Sequence, residues 1–170
     1  MEIRKISMLL FVTVLCLSCK NTNNKPNEFT ISTTSDSGFS FKKMKTVDNA
    51  FARDTYTDFV VVPGTSLSGD LSYPSLKQID AQSLFIMSKQ FDNLASAQKY
   101  YDQYSNIEEN ASNFERTASM IKPYQVWIIC TKAFTTGKIL ILSTNTTQTN
   151  GIYNSEVKIK AQIFKYNPKI

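Results

Sequence analysis

An uncharged run of eleven residues, Met8 to Ser18, follows the basic residues Arg4 and Lys5 near the start of the chain. As an α-helix this run would be only about 16 Å long, whereas a membrane-spanning helix needs about 20 apolar residues. A short apolar run behind a basic start is typical of a signal peptide. We therefore expect the rest of the chain to be exported and to fold outside the cytoplasm.

The run ends in the sequence Leu17-Ser18-Cys19-Lys20. This resembles the lipobox of bacterial lipoproteins. Ser18 matches the small residue before the cysteine and Cys19 matches the lipid acceptor, whereas Cys16 stands where the family usually has leucine. The resemblance covers residues 1–20 only. It implies that a signal peptide, residues 1–18, is removed and that Cys19 then carries lipid, which holds a protein stably on a membrane when two chains are attached.

Lys20 follows the acceptor cysteine at a position where an aspartate, in this family, often favours the inner membrane. The resemblance therefore implies a lipid-anchored protein of the cell envelope, with the outer membrane favoured over the inner membrane if the host has one. Two other interpretations of the same residues remain open. One is an ordinary secretory signal with a coincidental cysteine, and the other is an uncleaved anchor.

Removal of 18 of the 170 residues leaves 152, with 17 basic and 13 acidic side chains. This length suits one domain with its own hydrophobic core. The basic excess is small and no basic cluster is dense enough for nucleic acid, so no nucleic-acid partner is predicted. Besides Cys19 the mature chain has one cysteine, Cys130. The sequence therefore predicts no intramolecular disulfide, and stability must come from packing.

The mature chain divides into a lipidated, flexible tether, residues 19–37, and a single domain, residues 38–170. The tether is predicted from its polar composition, in which Phe29 and Ile31 are the two large apolar residues. Residues 63–80 are rich in Gly, Pro and Ser. They are predicted to form a long loop, and long loops in compact domains are often functional.

Apolar runs and alternations predict strands within residues 39–42, 58–62, 83–91, 124–134, 138–144 and 156–166. Apolar residues at helical spacing behind a capping Asp92 or Asn93 predict a helix from residue 93 to about 106. Residues 107–121 are predicted to form a second helix or an irregular segment. This order predicts an α+β domain, with a mostly antiparallel sheet of about five to six strands and one or two helices packed on one face.

The chain contains no histidine, which excludes a Ser-His-Asp triad, a Cys-His dyad and a histidine metal site within it. No cofactor or metal is predicted. Four aspartates, Asp48, Asp54, Asp58 and Asp70, are the candidates for a glycosidase, which needs two carboxyl groups. Their positions are more typical of turns and solvated surface. Cys130 lies in an apolar run, which favours a small core side chain over a reactive thiol.

Aromatic side chains are the remaining candidates for binding. Tyr101 and Tyr104 belong to the apolar stripe of the predicted helix and are assigned to the core. Tyr100 on that helix and Tyr73 in the predicted loop are freer, and these two are the predicted binding residues. With Trp127 they would form a stacking face for a sugar or a peptide.

Together these features predict a membrane-anchored, non-enzymatic binding or accessory domain of the cell envelope. Its predicted partners are the membrane, through lipid on Cys19, and an envelope protein or polymer. Two alternatives stay open: a hydrolase of envelope carbohydrate or peptide that uses carboxylates or a Ser-Lys pair, and a structural component of the envelope. Converging acids in a cleft would favour the hydrolase, whereas a flat or apolar face would favour binding.

Overall fold

The computed structural model of the protein describes residues 27–50, 56–65, 71–79, 83–104, 114–131 and 136–164. Strands take up 62% of these residues and helix 9%, so the domain is mostly β and the predicted α+β class is wrong. The elements are β1 Glu28–Ser32, β2 Gly38–Ser40, β3 Lys45–Val47, β4 Phe59–Thr65, β5 Leu71–Gln78, β6 Ser83–Gln90, α1 Leu94–Gln103, β7 Thr117–Ala118, β8 Gln125–Thr131, β9 Thr136–Thr149 and β10 Ile152–Phe164. The predicted signal peptide and the predicted lipid acceptor Cys19 lie outside the described residues. In the described ranges no helix is long and apolar enough to cross a bilayer.

The described strands form two five-stranded sheets instead of the single sheet that was predicted. The first sheet has the order β1-β10-β9-β8-β6 and the second has the order β3-β2-β4-β5-β7. All neighbouring strands are antiparallel. The two sheets pack face to face on a shared hydrophobic core to which both contribute side chains. This is the layered arrangement by which two sheets bury one face each.

Four phenylalanine rings occupy the centre of the core. Phe39, Phe41 and Phe59 come from the second sheet and the turn that follows β2, and Phe85 comes from the first sheet. Ring centroids in contact are 5.0 to 6.3 Å apart, which is the range that aromatic pairs favour. The remaining buried members are Ile31, Val61, Leu76, Ala118, Ile121, Trp127, Ile129, Ile139, Ile141, Val157, Ile159 and Ala161.

Where the structure describes them, residues 63–80 are mainly strand and not the predicted long loop. β4 includes Pro63 and Gly64, and β5 begins at Leu71. The ladder between the two strands slips at the Pro-Gly pair, and such a bulge accommodates proline and glycine within a strand. A Cβ on Gly64 would clash with the backbone of Tyr73. These turn-forming residues therefore mark a bulge, and the second sheet gains a strand that the prediction lacked.

The folded part also begins before Gly38. Residues 28–32, which the prediction assigned to the tether, form β1 and pair along their whole length with β10. Ile31 is fully buried, and the ring centroid of Phe29 lies 4.9 Å from that of Phe39. Two apolar side chains on alternate positions are enough to hold an edge strand against an existing core. They are too few for composition alone to indicate a strand.

The described part of residues 107–121 is not helical. Glu115 exchanges two backbone hydrogen bonds of 2.7 Å with Phe85 of β6, and β7 pairs with Leu76 and Lys77 of β5. The segment therefore connects an edge strand of the first sheet to the second sheet. Residues 105–113, where the rest of a second helix was predicted, lie outside the described residues.

The other predicted elements are confirmed in type where they are described, although β9 continues to Thr149 and β10 begins at Ile152, beyond the predicted strands 138–144 and 156–166. The strands predicted from residues 39, 58, 83, 124, 138 and 156 correspond to β2, β4, β6, β8, β9 and β10. The predicted helix corresponds to α1, and Asn93 caps it by accepting a hydrogen bond of 2.9 Å from the amide of Ser96. Ala97 and Tyr101 of α1 pack on Val126 and Leu140 on the outer face of the first sheet.

The strand registers give the domain two ends. At the entry end β9 begins and β10 finishes, and the carbonyl of Asn27 accepts a hydrogen bond of 2.8 Å from the amide of Ala161. Toward the far end β6 finishes and β8 begins, level with Leu140 and Ile141 of β9, and β9 continues past them to its turn into β10 at Asn150-Gly151. The described chain therefore begins at the entry end. Residues 119–124, which cross from the second sheet to the first before β8, lie toward the far end.

Candidate binding surface at the far end

Residues 119–124 cross from the second sheet to the first at the far end. The amide of Ile121 donates to the carbonyl of Pro74 on β5, and the amide of Tyr124 donates to the carbonyl of Ile141 on β9, both at 2.8 Å. The segment is therefore fixed at both sheets by backbone hydrogen bonds. Side chains that it carries have defined positions on the surface.

Lys122 lies in the middle of this segment, above the ring of Tyr73. Its Nζ is 5.1 Å from the ring centroid, within the range of a cation–π contact. The amide of Lys122 donates to Oε1 of Gln125 at 2.9 Å, and the same oxygen accepts from the indole nitrogen of Trp127 at 3.0 Å. Tyr73 is 43% exposed. Gln125, which also binds the indole of Trp127, thus fixes the backbone of Lys122 beside the exposed ring of Tyr73.

A second aromatic group combines Phe91, which precedes α1, with Tyr100 and Tyr104 near the end of that helix. The ring centroid of Tyr100 is 5.2 Å from those of both Phe91 and Tyr104, and its hydroxyl shares a 2.8 Å hydrogen bond with Oγ of Ser88. Nζ of Lys89 lies 5.3 Å from the Phe91 centroid and 5.7 Å from the Tyr100 centroid. This group repeats the pattern of the first one, because a lysine ammonium again faces aromatic rings.

Gln90 and the residues around it connect the two groups. Its Nε2 donates to the carbonyls of Phe91, at 2.8 Å, and Pro123, at 3.1 Å. The amide of Phe91 also donates to the carbonyl of Tyr124 at 3.2 Å. Both groups are thereby attached to residues 119–124. We call them together the far-end aromatic surface, which consists of Tyr73, Lys89, Phe91, Tyr100 and Lys122.

The backbone on either side of Lys122 is in an unusual conformation. Met120 has φ +52° and Tyr124 has φ +70°. Positive φ is uncommon for residues other than glycine, and it persists where the surroundings impose it, often at binding sites. In this segment the hydrogen bonds to both sheets impose it.

The far-end aromatic surface offers π faces and positive charge. Aromatic rings bind flat apolar groups by stacking, and the two ammonium groups attract anions. Asp92 lies next to Phe91, on an exposed position, and is the acidic residue nearest in sequence. The arrangement suits a ligand that presents a flat face beside a negative charge, and its five side chains include no pair of carboxyl groups.

The two predicted binding residues, Tyr73 and Tyr100, both belong to this surface, Tyr73 exposed and Tyr100 half-buried. Tyr101 is buried as predicted, and Trp127 lies in the core between the sheets. Lys89, Phe91 and Lys122 were not predicted. No spacing along the sequence links residues 73, 90 and 122, because the surface is assembled by the crossing segment.

A buried lysine lies beneath the end of α1, away from this surface. Lys138 is 3% exposed, and its Nζ donates to the carbonyls of Tyr101 and Tyr104, at 2.7 Å to the latter. The last carbonyls of a helix have no donor within it. Burial lowers the pKa of Lys138, against an opposing effect of Asp102. Burial also raises the pKa of Tyr101 above its usual value. We assign this lysine a structural role.

The candidate carboxyl groups are placed differently from one another. Asp48 is exposed after β3, whereas Asp58 is partly buried before β4. Oδ2 of Asp58 accepts a hydrogen bond of 2.7 Å from the amide of Phe41. Burial raises the pKa of Asp58 to about 6, and the hydrogen bond acts in the opposite direction. Asp54 and Asp70 lie outside the described residues. Across the described ranges no three Asp, Glu or Cys side chains form a group that could hold a metal.

Cys130 is half-buried on β8. Its Sγ lies 3.9 Å from Oγ1 of Thr136, and burial raises the pKa of the thiol. A raised pKa lowers the fraction of thiolate, which is the reactive form. Burial therefore disfavours a reactive thiolate, but Cys130 belongs to neither hydrophobic cluster, so the predicted core position is wrong.

Comparisons with protein-family models, curated proteins and solved structures find no match for this chain.

Proposed function

We propose that the chain is a lipid-anchored, non-enzymatic binding domain of the bacterial cell envelope. In this proposal Cys19 carries the lipid, and the far-end aromatic surface holds an envelope polymer that contains sugar rings and negative charge. The observation that carries the binding role is the repeated pairing of a lysine ammonium with aromatic rings. Lys122 lies over Tyr73 and Lys89 lies over Phe91 and Tyr100, and one crossing segment fixes both.

Binding is favoured over catalysis by what the surface contains. Stacking faces and ammonium groups hold a ligand, whereas hydrolysis of a glycosidic bond needs two placed carboxyl groups. The chain also lacks histidine, the most common general base. The carboxyl group with a raised pKa, Asp58, faces the backbone of Phe41.

The anchor is tested by intact-mass spectrometry of the protein extracted from the membranes of its host. We expect a chain that begins at Cys19 and carries acyl groups. An unmodified species, or one that retains Met1, would contradict the anchor. Crosslinking before extraction would show whether the neighbours are proteins, in which case a protein would replace the polymer as the proposed ligand.

The binding surface is tested by co-sedimentation with the insoluble cell-wall polymer isolated from the host. Tyr73→Ala removes the exposed ring under Lys122 and should weaken binding about two- to twelvefold, which corresponds to the usual contribution of about 0.5–1.5 kcal/mol from an aromatic contact. Ile163→Ala is the control, because Ile163 on β10 is 42% exposed, close to the 43% of Tyr73, and does not belong to the surface. Equal binding by the two variants would contradict the proposed surface.

A further inference from the structure

The turn between β2 and β3 carries a group of exposed cations around one exposed ring. Lys42, Lys43 and Lys45 are exposed, and Nζ of Lys42 and Lys43 lie 4.0 and 5.5 Å from the ring centroid of Tyr56. Tyr56 is 61% exposed and has φ +52°. We call these four residues the entry-end basic turn.

Contacts of Phe41 place this turn at the entry end of the domain. A Cβ on Gly137 would clash with the Phe41 ring, so the ring lies directly against the start of β9. β10 lies between β9 and β1 in the first sheet, and two strand spacings are about 10 Å. Asn27 precedes β1 and accepts a hydrogen bond from the amide of Ala161 on β10. It is therefore close to the basic turn.

The turn is held in one conformation. The amide of Phe41 donates to Oδ2 of Asp58 at 2.7 Å, and the amide of Met44 donates to the carbonyl of Phe41 at 3.2 Å. Met44 packs against the core between the sheets. Among the described residues Asp58 binds the turn, and its carboxylate oxygen accepts from the backbone of Phe41. The lysines thus project from a fixed support with their charges facing solvent.

The proposed anchor brings this end of the domain to a membrane. Seven residues, 20–26, separate Cys19 from Asn27, and seven residues reach at most about 25 Å when fully extended. Two of the seven, Lys20 and Lys25, are also basic. Basic residues close to an anionic bilayer are attracted to it, and tyrosine is favoured at the interface between lipid and water.

We propose that the entry-end basic turn lies against the anionic headgroups of the membrane that holds Cys19, so that the far-end aromatic surface faces away from that membrane. The inference rests on the lipid anchor of the proposed function but not on the identity of the polymer. A lipid chain combined with a basic patch attaches a protein more firmly than one lipid chain alone. The turn would thereby orient a domain that is attached through a short segment.

The test uses the acylated chain in liposomes and a water-soluble reagent that acetylates exposed lysines, with mass spectrometry as the readout. On vesicles that contain phosphatidylglycerol, acetylation of Lys42, Lys43 and Lys45 should be severalfold slower than on phosphatidylcholine vesicles. Lys99, exposed on α1, serves as the internal control and should react equally on both. High salt should abolish the protection, because it screens the headgroup charge.

A pair of variants with equal loss of charge sharpens the test. Lys42→Gln with Lys43→Gln should restore the acetylation rate of Lys45 on anionic vesicles. Lys77→Gln with Arg116→Gln, two exposed positions toward the opposite edge of the second sheet, should leave Lys45 protected. Equal acetylation of all lysines on both kinds of vesicle, in a chain whose mass shows the acyl groups, would overturn this inference and leave the anchor standing. An unmodified mass would instead contradict the anchor itself.

Discussion

The first sheet has two buried faces that are built differently. On β9 the inner residues Ile139 and Ile141 pack in the core between the sheets, while Leu140 packs under α1 and Lys138 binds the end of that helix. All four are 3% exposed or less. The inner face is covered by a second sheet, and the outer face by a helix of ten residues. The same strand therefore alternates between two kinds of interior.

This difference follows from what covers each face. A sheet that packs face to face offers side chains to its neighbour, because its backbone groups are already paired within its own ladders. A helix end offers carbonyl oxygens that lack donors. An ammonium group can be buried beneath a helix end and hydrogen-bonded there, whereas between the sheets it would lack partners. Which side chains can be buried on a face therefore depends on whether a sheet or a helix end covers that face.

Truncation of adjacent residues on the two faces should give the largest effects. Ile139→Ala should lower the free energy of unfolding by about 4 kcal/mol, and Leu140→Ala by about 2–3 kcal/mol, within the usual range for such cavities. The inner cavity is enclosed by two sheets that cannot close in on it. The outer cavity lies under one short helix that can shift. Equilibrium unfolding in urea measures both values.

Hydrogen exchange distinguishes the two faces further. Leu140→Ala should accelerate exchange of the α1 amides more than exchange in β8 and β9, because it loosens the helix locally. Ile139→Ala should leave α1 as well protected relative to the sheets as in the parent protein. Similar losses of stability together with similar exchange patterns would mean that the two faces are equivalent, which would refute the comparison.

The elements that cross the core were predictable, because alternation and long apolar runs follow directly from burial on a sheet. β8 and β9 are of this kind, and α1 was predictable from the helical spacing of its apolar residues. The fold class was not predictable, because it depends on elements whose local signal is weak or misleading. β1 has two large apolar residues, and β4 carries Pro63 and Gly64 at a bulge. Such strands form because they pair with a neighbouring strand, and the local sequence does not indicate which strand that neighbour will be.

The far-end aromatic surface was predictable only in part. Tyr100 could be selected because it lies off the apolar stripe of the predicted helix, and Tyr73 because it lay in a predicted loop. Lys122 and Lys89 could not, since lysines are common in this sequence and their partners are distant along the chain. Only the crossing of residues 119–124 shows that these side chains lie over rings. Sites assembled by crossovers require tertiary structure.

The buried lysine of the outer face gives a second prediction. Lys138→Met keeps the apolar stem of the side chain but removes the donors to the carbonyls of Tyr101 and Tyr104. We expect a loss of about 1–3 kcal/mol in the free energy of unfolding, the usual cost of leaving buried acceptors without partners. Differential scanning calorimetry and urea unfolding should agree on the direction.

Lys160→Met is the matched control for that change. Its Nζ also lies over the Tyr101 ring, at 5.2 Å, and it pairs with Asp102 at 3.3 Å, but the pair is partly solvated. Exposed pairs contribute little, about 0–1 kcal/mol. If Lys138→Met were as stable as the parent protein, the hydrogen bonds from Lys138 to the helix end would contribute nothing to stability. The two faces would then differ only in how their apolar side chains pack.

The carboxyl group of Asp58, just before β4 and beside the core between the sheets, makes the free energy of unfolding depend on pH. The pKa of Asp58 is raised to about 6 by burial, above its value in the unfolded chain. The folded state therefore binds the proton more tightly than the unfolded state does. The stabilisation from this group is complete below about pH 4 and is lost as the pH rises through about 6.

The smallest expected effect is that of Asp58→Asn, which cannot ionise while its side-chain oxygen can still accept from the amide of Phe41. Relative to the parent protein, the variant should gain about 1 kcal/mol between pH 4 and pH 7, a value reduced from full linkage because the carboxyl group is partly solvated. Urea unfolding of both proteins across this range measures the difference. If the difference in the free energy of unfolding between the two proteins did not change with pH, the edge of the inner core would tolerate a charge as readily as the helix end does. The inner and outer faces would then differ only in their fully buried side chains.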